Sequence, residues 1–328
     1  MMNYRFEYRR YERQFVRSLS TSHGRWDVRE GIILRLTDET GQVGWGEIAP
    51  LPWFGSETLE SALDFCCQLG DEITTATIDT IPDALPACHF GFESAWEDFD
   101  PQPGALKRYY LPDERRYPSD LSYSSLLPAG EAALQAWETL WKQGYRTFKW
   151  KIGVAPIQDE LKLFDKLIQA LPPGVKLRLD ANCGLNWQQA KEWLLQSDSA
   201  GVEFLEQPLP VHQFDSLLEL SAQYSTPIAL DESVATLAQL QSCYQNGWRG
   251  IFVIKPCIAG SLNLLRQFCQ KHPIDAVFSS VFETAIGRQA ALKLAAELSH
   301  PNRAVGFGVN HWFAENEETW LEHLWKNH

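Results

Sequence analysis

Five charged residues recur in this chain at intervals of 24 to 29 residues: Lys151, Asp180, Glu206, Asp231 and Lys255, with Ser279 and Ser280 one interval further on. Each ends a short apolar run, as in "KLRLD", "VEFLE", "PIALD" and "IFVIK", at a point where a core strand would simply stop. Three of the five are carboxylates. Crowded together they could not all stay ionised, because like charges push one another's pKa upward. A hard divalent cation resolves the conflict. An all-oxygen donor set favours Mg2+ over zinc and leaves positions for water or for a substrate carboxylate, toward which the ion acts as a Lewis acid. Mg2+ is therefore the expected cofactor, with Mn2+ as a tolerated substitute.

The lysines suggest what such a site does. In "TFKWKIG" Lys149 and Lys151 flank Trp150, and the period of two in a strand puts both ammonium groups on one side and the indole on the other. Lys255, before Pro256, stands across from them. A lysine on each side of a metal-held carboxylate suits proton transfer at the α-carbon. That proton is very weakly acidic, and neighbouring cations both offset the developing charge and lower the pKa of the base. Taken singly, each piece has an ordinary explanation. "RLDAN" reads as an Asp-Asn turn, Glu206 and Asp231 as helix caps, and "KWK" as an edge strand with a solvated lysine face. The constellation rests on the set, at one repeat length.

The elements that must position these groups follow from the rhythm of the chain. From about residue 121, β-like runs alternate with helical segments, giving eight strand candidates that end with "AVGFG". That alternation indicates parallel strands with crossover helices, and eight of them suggest a closed barrel whose C-terminal rim gathers the charged residues. Residues 4–48 read instead as an antiparallel meander turning at "ETGQ", and residues 57–99 as helical, opening on a Ser56 cap. The passage "PQPGALKRYYLPDERRYPSD" reads as a connection. The expected division is an α+β capping domain over 1–105, a barrel over 106–307, and a tail over 308–328 that returns to the first domain.

Composition narrows the function classes. The formal charge is −13 with no basic run, which disfavours nucleic acid and anionic membrane as partners. Seven cysteines without a C-x-x-C spacing suit reduced thiols rather than a disulfide framework. The N-terminal "MMNYRFEYRRYERQF" lacks the apolar core of a signal peptide, and no apolar stretch reaches the roughly 20 residues of a membrane helix. The expectation is a soluble cytoplasmic protein acting on a small-molecule carboxylate, without membrane insertion; oligomeric state has no signature here. Most of the thirteen tryptophans are expected in the core or at the domain interface.

As a set, the K-x-K pair, the three carboxylates and Lys255 on successive strands resemble the enolase superfamily, and within it the muconate-lactonizing subgroup. The resemblance implies a modified (β/α)8 barrel, (β/α)7β, under an α+β N-terminal capping domain, with Mg2+ paired to a lysine base as sites of that superfamily do. It implies Lys151 as base with Lys149 beside it, Asp180, Glu206 and Asp231 as metal ligands, and Lys255 as the opposite lysine. Arg178, Asn182, Glu232, Ser279 and Ser280 would be substrate-binding or neighbouring groups.

Arg178 before the first ligand, together with "GWGEIAPLPWFGSETLE", looks like the branch that dehydrates 2-succinyl-6-hydroxy-2,4-cyclohexadiene-1-carboxylate in menaquinone or phylloquinone synthesis. There Lys151 would remove the proton and then assist the leaving hydroxide in a syn elimination, while Lys255 would act as a cation over the ring. The alternative within the subgroup is an N-acylamino acid racemase or dipeptide epimerase, although "AVGFGVNHWF" lacks the Asp-x-Asp pair that dipeptide epimerases carry. A non-enzymatic alternative is a metal-binding barrel scaffold. The loops "STSHGRWDVREG" and "APLPWFGSE" are expected to reach the substrate.

Overall fold

The computed structural model describes residues 3–21, 24–99, 121–308, 312–313 and 316–326. Strands β1 (Asn3–Thr21), β2 (Gly24–Thr37), β3 (Val43–Ile48) and β4 (Glu72–Thr74) form an antiparallel sheet in the order β3-β2-β1-β4. The run "IILRL" in β2 is apolar without strict alternation because both faces of the sheet are covered. Ile32, Leu34 and Leu36 belong to the main core, whereas Ile33 joins Tyr11, Trp45, Trp320 and Leu321 on the opposite face. Helices α1 (Leu59–Gln68) and α2 (Pro86–Glu97) complete this domain. β3 lies so close to α2 that a Cβ on Gly46 would sit 2.0 Å from the Gly91 carbonyl oxygen.

Two details of the sequence reading change. The cap of α1 is Thr58, whose side chain accepts from the Ser61 amide, while the Ser56 hydroxyl instead accepts from the Leu51 amide inside the preceding loop. Residues 57–99 are also not helical throughout, since β4 interrupts them to pair with β1. A three-residue strand between two helices leaves almost no periodic signal.

The second body is the barrel. Strands β5 (Ser124–Leu127), β6 (Thr147–Lys151), β7 (Lys176–Asp180), β8 (Phe204–Glu206), β9 (Ile228–Leu230), β10 (Ile251–Ile254) and β11 (Asp275–Phe278) pair in parallel in sequence order. Between them run α3 (Ala133–Lys142), α4 (Ile157–Ala170), α5 (Trp187–Ala200), α6 (Phe214–Gln223), α7 (Leu237–Gln245), the single turn α8 (Pro256–Ala259) and α9 (Leu262–Lys271), with α10 (Ala285–Leu298) after β11.

The eighth candidate, "AVGFG", closes the ring. The Ser124 amide donates to the Val305 carbonyl and the Val305 amide to Ser122 on one side, while the Gly306 amide donates to Phe278 and the Ser280 amide to Gly306 on the other. Phe204, Ala229, Ile251, Val253 and Val277 make a separate apolar cluster. Trp150 is buried and meets Trp193 of α5 edge-on, so the indole of "KWK" does face the helices.

The expected division at 105/106 and the passage "PQPGALKRYYLPDERRYPSD" lie outside the described residues, as do 22–23 of the first capping loop. Helix α11 (Glu317–Lys326) packs on the first sheet, with Trp320 against Tyr11 and Trp325 against Trp45, and Arg13 pairs with Glu317 at 2.5 Å. Among the described residues no helix is long and apolar enough to cross a membrane.

The two bodies are joined by buried carboxylates at helix N-termini, where unpaired amides seek acceptors. Glu47 of β3 is fully buried and accepts from the Thr284 amide at 3.0 Å, the Thr284 hydroxyl at 2.5 Å and the Gly287 amide at 2.9 Å, all at the start of α10; the Tyr11 hydroxyl donates at 2.5 Å from its own sheet. Glu93 of α2 accepts from the Asn263 amide of α9. Replacing Glu47 by Ala would leave these donors buried without an acceptor. We expect Glu47→Ala to lower the urea-derived unfolding free energy by about 3 kcal/mol or more, from the usual cost of breaking a buried charged network. A loss below about 1 kcal/mol would mean that Glu47 does not tie the domains.

Candidate active site

The C-terminal ends of β6 through β10 bring the five charged residues to one rim. Register fixes the neighbours: Lys151 of β6 pairs with Asp180 of β7, and Asp180 with Glu206 of β8. Lys149 Nζ lies 2.7 Å from Asp180 Oδ2 and 2.7 Å from Glu206 Oε1, bridging two of the three carboxylates. Lys255 is ion-paired with Asp231. The Lys151 side chain, by contrast, makes no ion pair or hydrogen bond with any described residue. One lysine of "KWK" is thus held and the other is free.

Electrostatics follow from the crowding. Burial and then the charge of Asp180 raise the Glu206 pKa from an ordinary 4.5 to about 8, although Lys149 opposes the rise. Asp231 and Glu232 are also raised, mainly by burial; Lys255 opposes the rise in both cases. Burial alone would depress the Lys149 ammonium, but Asp180, Glu206 and Asp231 outweigh it and hold its pKa well above the ordinary lysine range. Lys149 therefore stays protonated and is a poor candidate for a base.

The backbone is strained where it leaves the carboxylates. Asn182, Cys183 and Gln207 have φ of 42°, 62° and 35°, a left-handed region that residues with a Cβ rarely adopt. The strain has local support. The Asn182 amide donates to Asp180 Oδ1 at 3.0 Å and its side chain to Glu232 Oε1 at 3.3 Å, and the Cys183 amide donates to the Gln207 carbonyl. Gln207 is fully buried. Its side-chain oxygen accepts from the Asp231 and Ser233 amides, while its nitrogen donates to the Ser233 hydroxyl and the Leu209 carbonyl. Behind Lys151, the Glu160 carboxylate accepts from the amides of Gly153, Val154 and Ala155 at 2.8, 2.9 and 3.0 Å, fixing the loop that follows β6.

Other residues singled out in the sequence lie elsewhere. Arg178 is not at the mouth: its Nε donates to Glu203 at 2.6 Å, in an ion-pair group with Arg303, Asp275 and Lys176 at the N-terminal ends of β7, β8 and β11. It stands level with Lys149 in the strand register, but its side chain turns toward the N-terminal ends of the strands while that of Lys149 turns toward the mouth. A substrate-binding role for Arg178 is thereby corrected. The Ser280 hydroxyl is directed at Glu283 within its own loop, and Ser279 forms the closing bridge with Gly306.

Three residues at the site escaped the sequence reading. Gln207 follows the charged Glu206 in "EQP" and carries no periodic signal of its own, and Glu160 is one acidic residue among several in an amphipathic helix. Phe54, in the capping loop "APLPWFGSE", lies with its ring centroid 4.0 Å from Lys255 Nζ.

As the side chains stand, no group of three or more His, Cys, Asp or Glu converges as a metal cage among the described residues, because lysine ammonium groups engage the carboxylates. The donor chemistry nevertheless suits a hard cation. Asp180, Glu206 and Asp231 are oxygen donors on successive strands, and the raised pKa of Glu206 shows that the lysines alone do not balance them.

Comparison with known proteins agrees with this geometry. A family model described as enolase C-terminal domain-like matches residues 131–323, and one described as the MenC N-terminal domain matches residues 8–99. The o-succinylbenzoate synthase of Thermosynechococcus vestitus is 41% identical over 330 residues, which cover 98% of each chain. The crystal structure of o-succinylbenzoate synthase from Thermosynechococcus elongatus BP-1, with Mg in the active site, matches with a TM-score of 0.87 at 40% identity, over 99% of this chain and 100% of that one. The L-Ala-D/L-Glu epimerase of Bacillus subtilis is 27% identical over 286 residues, covering 81% of this chain and 77% of its own.

Gln207→Leu keeps the volume but strands the Asp231 and Ser233 amides, so unfolding in urea should become easier by about 2–3 kcal/mol with an unchanged slope. A midpoint equal to wild type would show that Gln207 does not brace the rim.

Proposed function

The chain belongs to the enolase superfamily, and from that membership we propose that it acts as an o-succinylbenzoate synthase, dehydrating 2-succinyl-6-hydroxy-2,4-cyclohexadiene-1-carboxylate to 2-succinylbenzoate in menaquinone or phylloquinone synthesis. The observation that carries the reading is the pairing of an unengaged Lys151 with a carboxylate rim in a chain that matches a synthase of this name nearly end to end. The lower identity to the epimerase of Bacillus subtilis favours the synthase over an epimerase. The seven free cysteines suit a reducing compartment, and we place the activity in the cytoplasm.

Asp180, Glu206 and Asp231 would hold Mg2+, which when bound supplies positive charge against the second negative charge that builds on the substrate carboxylate as the α-proton leaves. The remaining chemistry belongs to the chain. Lys151, whose ammonium no described residue holds, is the group in position to act as the base. Lys149, kept cationic by Asp180 and Glu206, shares the strand face of Lys151 and adds a fixed positive charge beside the substrate. Lys151 removes the proton α to the ring carboxylate and returns it to the departing hydroxyl on the same face. The C–O bond breaks, water leaves and the ring becomes aromatic. Because aromatisation drives the second step, Lys255 need not exchange a proton; its charge faces the ring. The capping domain, residues 1–105 joined by 308–328, would receive the succinyl tail and exclude water.

Two outcomes test this. Dehydration followed in the ultraviolet should fall by at least about 1000-fold in Lys151→Ala and should cease in EDTA until Mg2+ is restored; undiminished turnover in Lys151→Ala would sink the mechanism, and none in wild type would sink the assignment. The second concerns pH. In the metal-free protein Glu206 keeps its proton up to about pH 8, whereas in the unfolded chain it loses it near 4.5, so between these values the folded state binds more protons and its stability falls as pH rises. Mg2+ must displace that proton. Calorimetric titration at pH 7 in two buffers of different ionisation heat should show roughly one proton released per ion, with affinity rising up to about pH 8. Heats independent of buffer would count against Glu206 as a ligand.

A further inference from the structure

Lys151 and Lys255 are positioned by different parts of the molecule. Lys151 depends on the barrel alone, through β6 and the loop pinned by Glu160. Lys255 leans on the capping domain twice. Its backbone starts α8, which packs against α2, and Gly260 after α8 has Pro86 as its neighbour. Its ammonium meets the face of Phe54, at 4.0 Å from the ring centroid.

The loop that presents Phe54 is built to hold its place. Arg29, 2% exposed, donates to the carbonyls of Ala49 and Pro50 where the loop begins. The Ser56 hydroxyl accepts from the Leu51 amide, and the Phe54 amide donates to the Leu51 carbonyl. Gly55, at φ 115°, would bring a Cβ to within 3.4 Å of the Ala235 methyl, so the loop is seated directly on the barrel. Trp26 meets Trp53 edge-on from the neighbouring hairpin.

From this geometry we propose that Phe54 is the positioning residue for Lys255, its ring face holding the ammonium of the second lysine so that capping-domain seating sets the charge over the substrate. The inference rests on the functional reading above for the purpose it gives Lys255. The reason a ring is needed is competition. Asp231 is the carboxylate partner of Lys255 and would also ligate the divalent ion, whose charge repels the ammonium. An aromatic face attracts a cation without offering a ligand to the metal, and it does so more strongly in a desolvated site.

The test has two arms, with Phe54→Leu removing the ring face and Phe54→Tyr keeping it. In the first, protein labelled with 13C at lysine Cε is examined without substrate, and the Lys255 signal is assigned by its loss in Lys255→Arg. That signal should be shifted upfield by the ring in wild type and Phe54→Tyr, should stay shifted when Mg2+ is added, and should return to the ordinary lysine position in Phe54→Leu. In the second, kcat for dehydration should fall by about 3- to 30-fold in Phe54→Leu, with KM changed less than about two-fold, and should recover in Phe54→Tyr. An unshifted Lys255 signal in wild type, or one released by Mg2+, overturns the proposal. So does a rise in KM at constant kcat, which would make Phe54 a direct substrate contact. If wild type performs no dehydration, the functional reading fails while the spectroscopic arm still decides the contact.

Discussion

Three carboxylates on successive strands of one barrel repel each other in a place where water cannot screen them, and much of the surrounding structure answers that repulsion. The cost is visible in Glu206, which burial and Asp180 drive toward neutrality, and in the raised pKa values of Asp231 and Glu232. The chain does not relieve the conflict by moving the groups apart. Lys149 and Lys255 supply counter-charge, and the rim is braced so that the carboxylates cannot swing away. Gln207 spends three of its side-chain hydrogen bonds on the segment around Asp231 and one on Leu209 of its own loop, and Asn182 bonds Asp180 and Glu232. Left-handed backbone at Asn182, Cys183 and Gln207 is what such bracing requires, and strain of this kind persists only where the surroundings over-determine it. A rim under this much like charge is prepared for a divalent cation.

The same device, a buried carboxylate on backbone amides, recurs wherever a loop or a helix must be seated. Glu160 fixes the loop behind Lys151, Glu57 accepts from the Ala87 and Cys88 amides at the start of α2, and Glu47 and Glu93 reach from the capping domain to α10 and α9. Each supplies an acceptor to donors that a helix end or a turn leaves unpaired. Because Glu47 crosses between domains to Thr284, the loop carrying Ser280, Phe282 and Glu283 is held from outside the barrel as well as within it. The aromatic contacts among Phe15, Trp26, Phe282 and Trp312 then close over the same junction. Domain seating and site geometry are consequently one problem in this molecule.

What could be read from the sequence was what repeats. One strand and one helix take about 25 residues, so charged strand ends at that pitch revealed the barrel, its rim and its carboxylates together. Strand parity likewise predicted that Lys149 and Lys151 share a face opposite Trp150. Parity also misled: Arg178 shares a face with Asp180 and stands level with Lys149, yet its side chain turns down to Glu203 while that of Lys149 turns up to the rim, and this choice carries no sequence signal. The Ser56 and Thr58 exchange at the start of α1 is a similar case, since two hydroxyl residues compete and only the loop fold decides between them. Glu47, Gln207 and Phe54 were illegible for another reason. Glu47 and Phe54 meet partners 237 and 201 positions away, distances at which nothing repeats, and Gln207, although its partner Asp231 stands one repeat on at 24, is an uncharged residue one place past its strand end.

These contacts explain why two lysines of the same chemistry differ in role. A base must shed its proton, so it cannot be locked to carboxylates, and Lys151 is the one lysine of the three at the rim without a described partner. A fixed cation has the opposite need. Lys149 meets it with two carboxylates, and Lys255 with one carboxylate and one aromatic face. An elimination that ends in an aromatic ring requires one proton carrier only, whereas exchange of an α-proton between two faces requires two. The asymmetry of partners therefore favours one-sided chemistry, on the strand that the barrel alone positions.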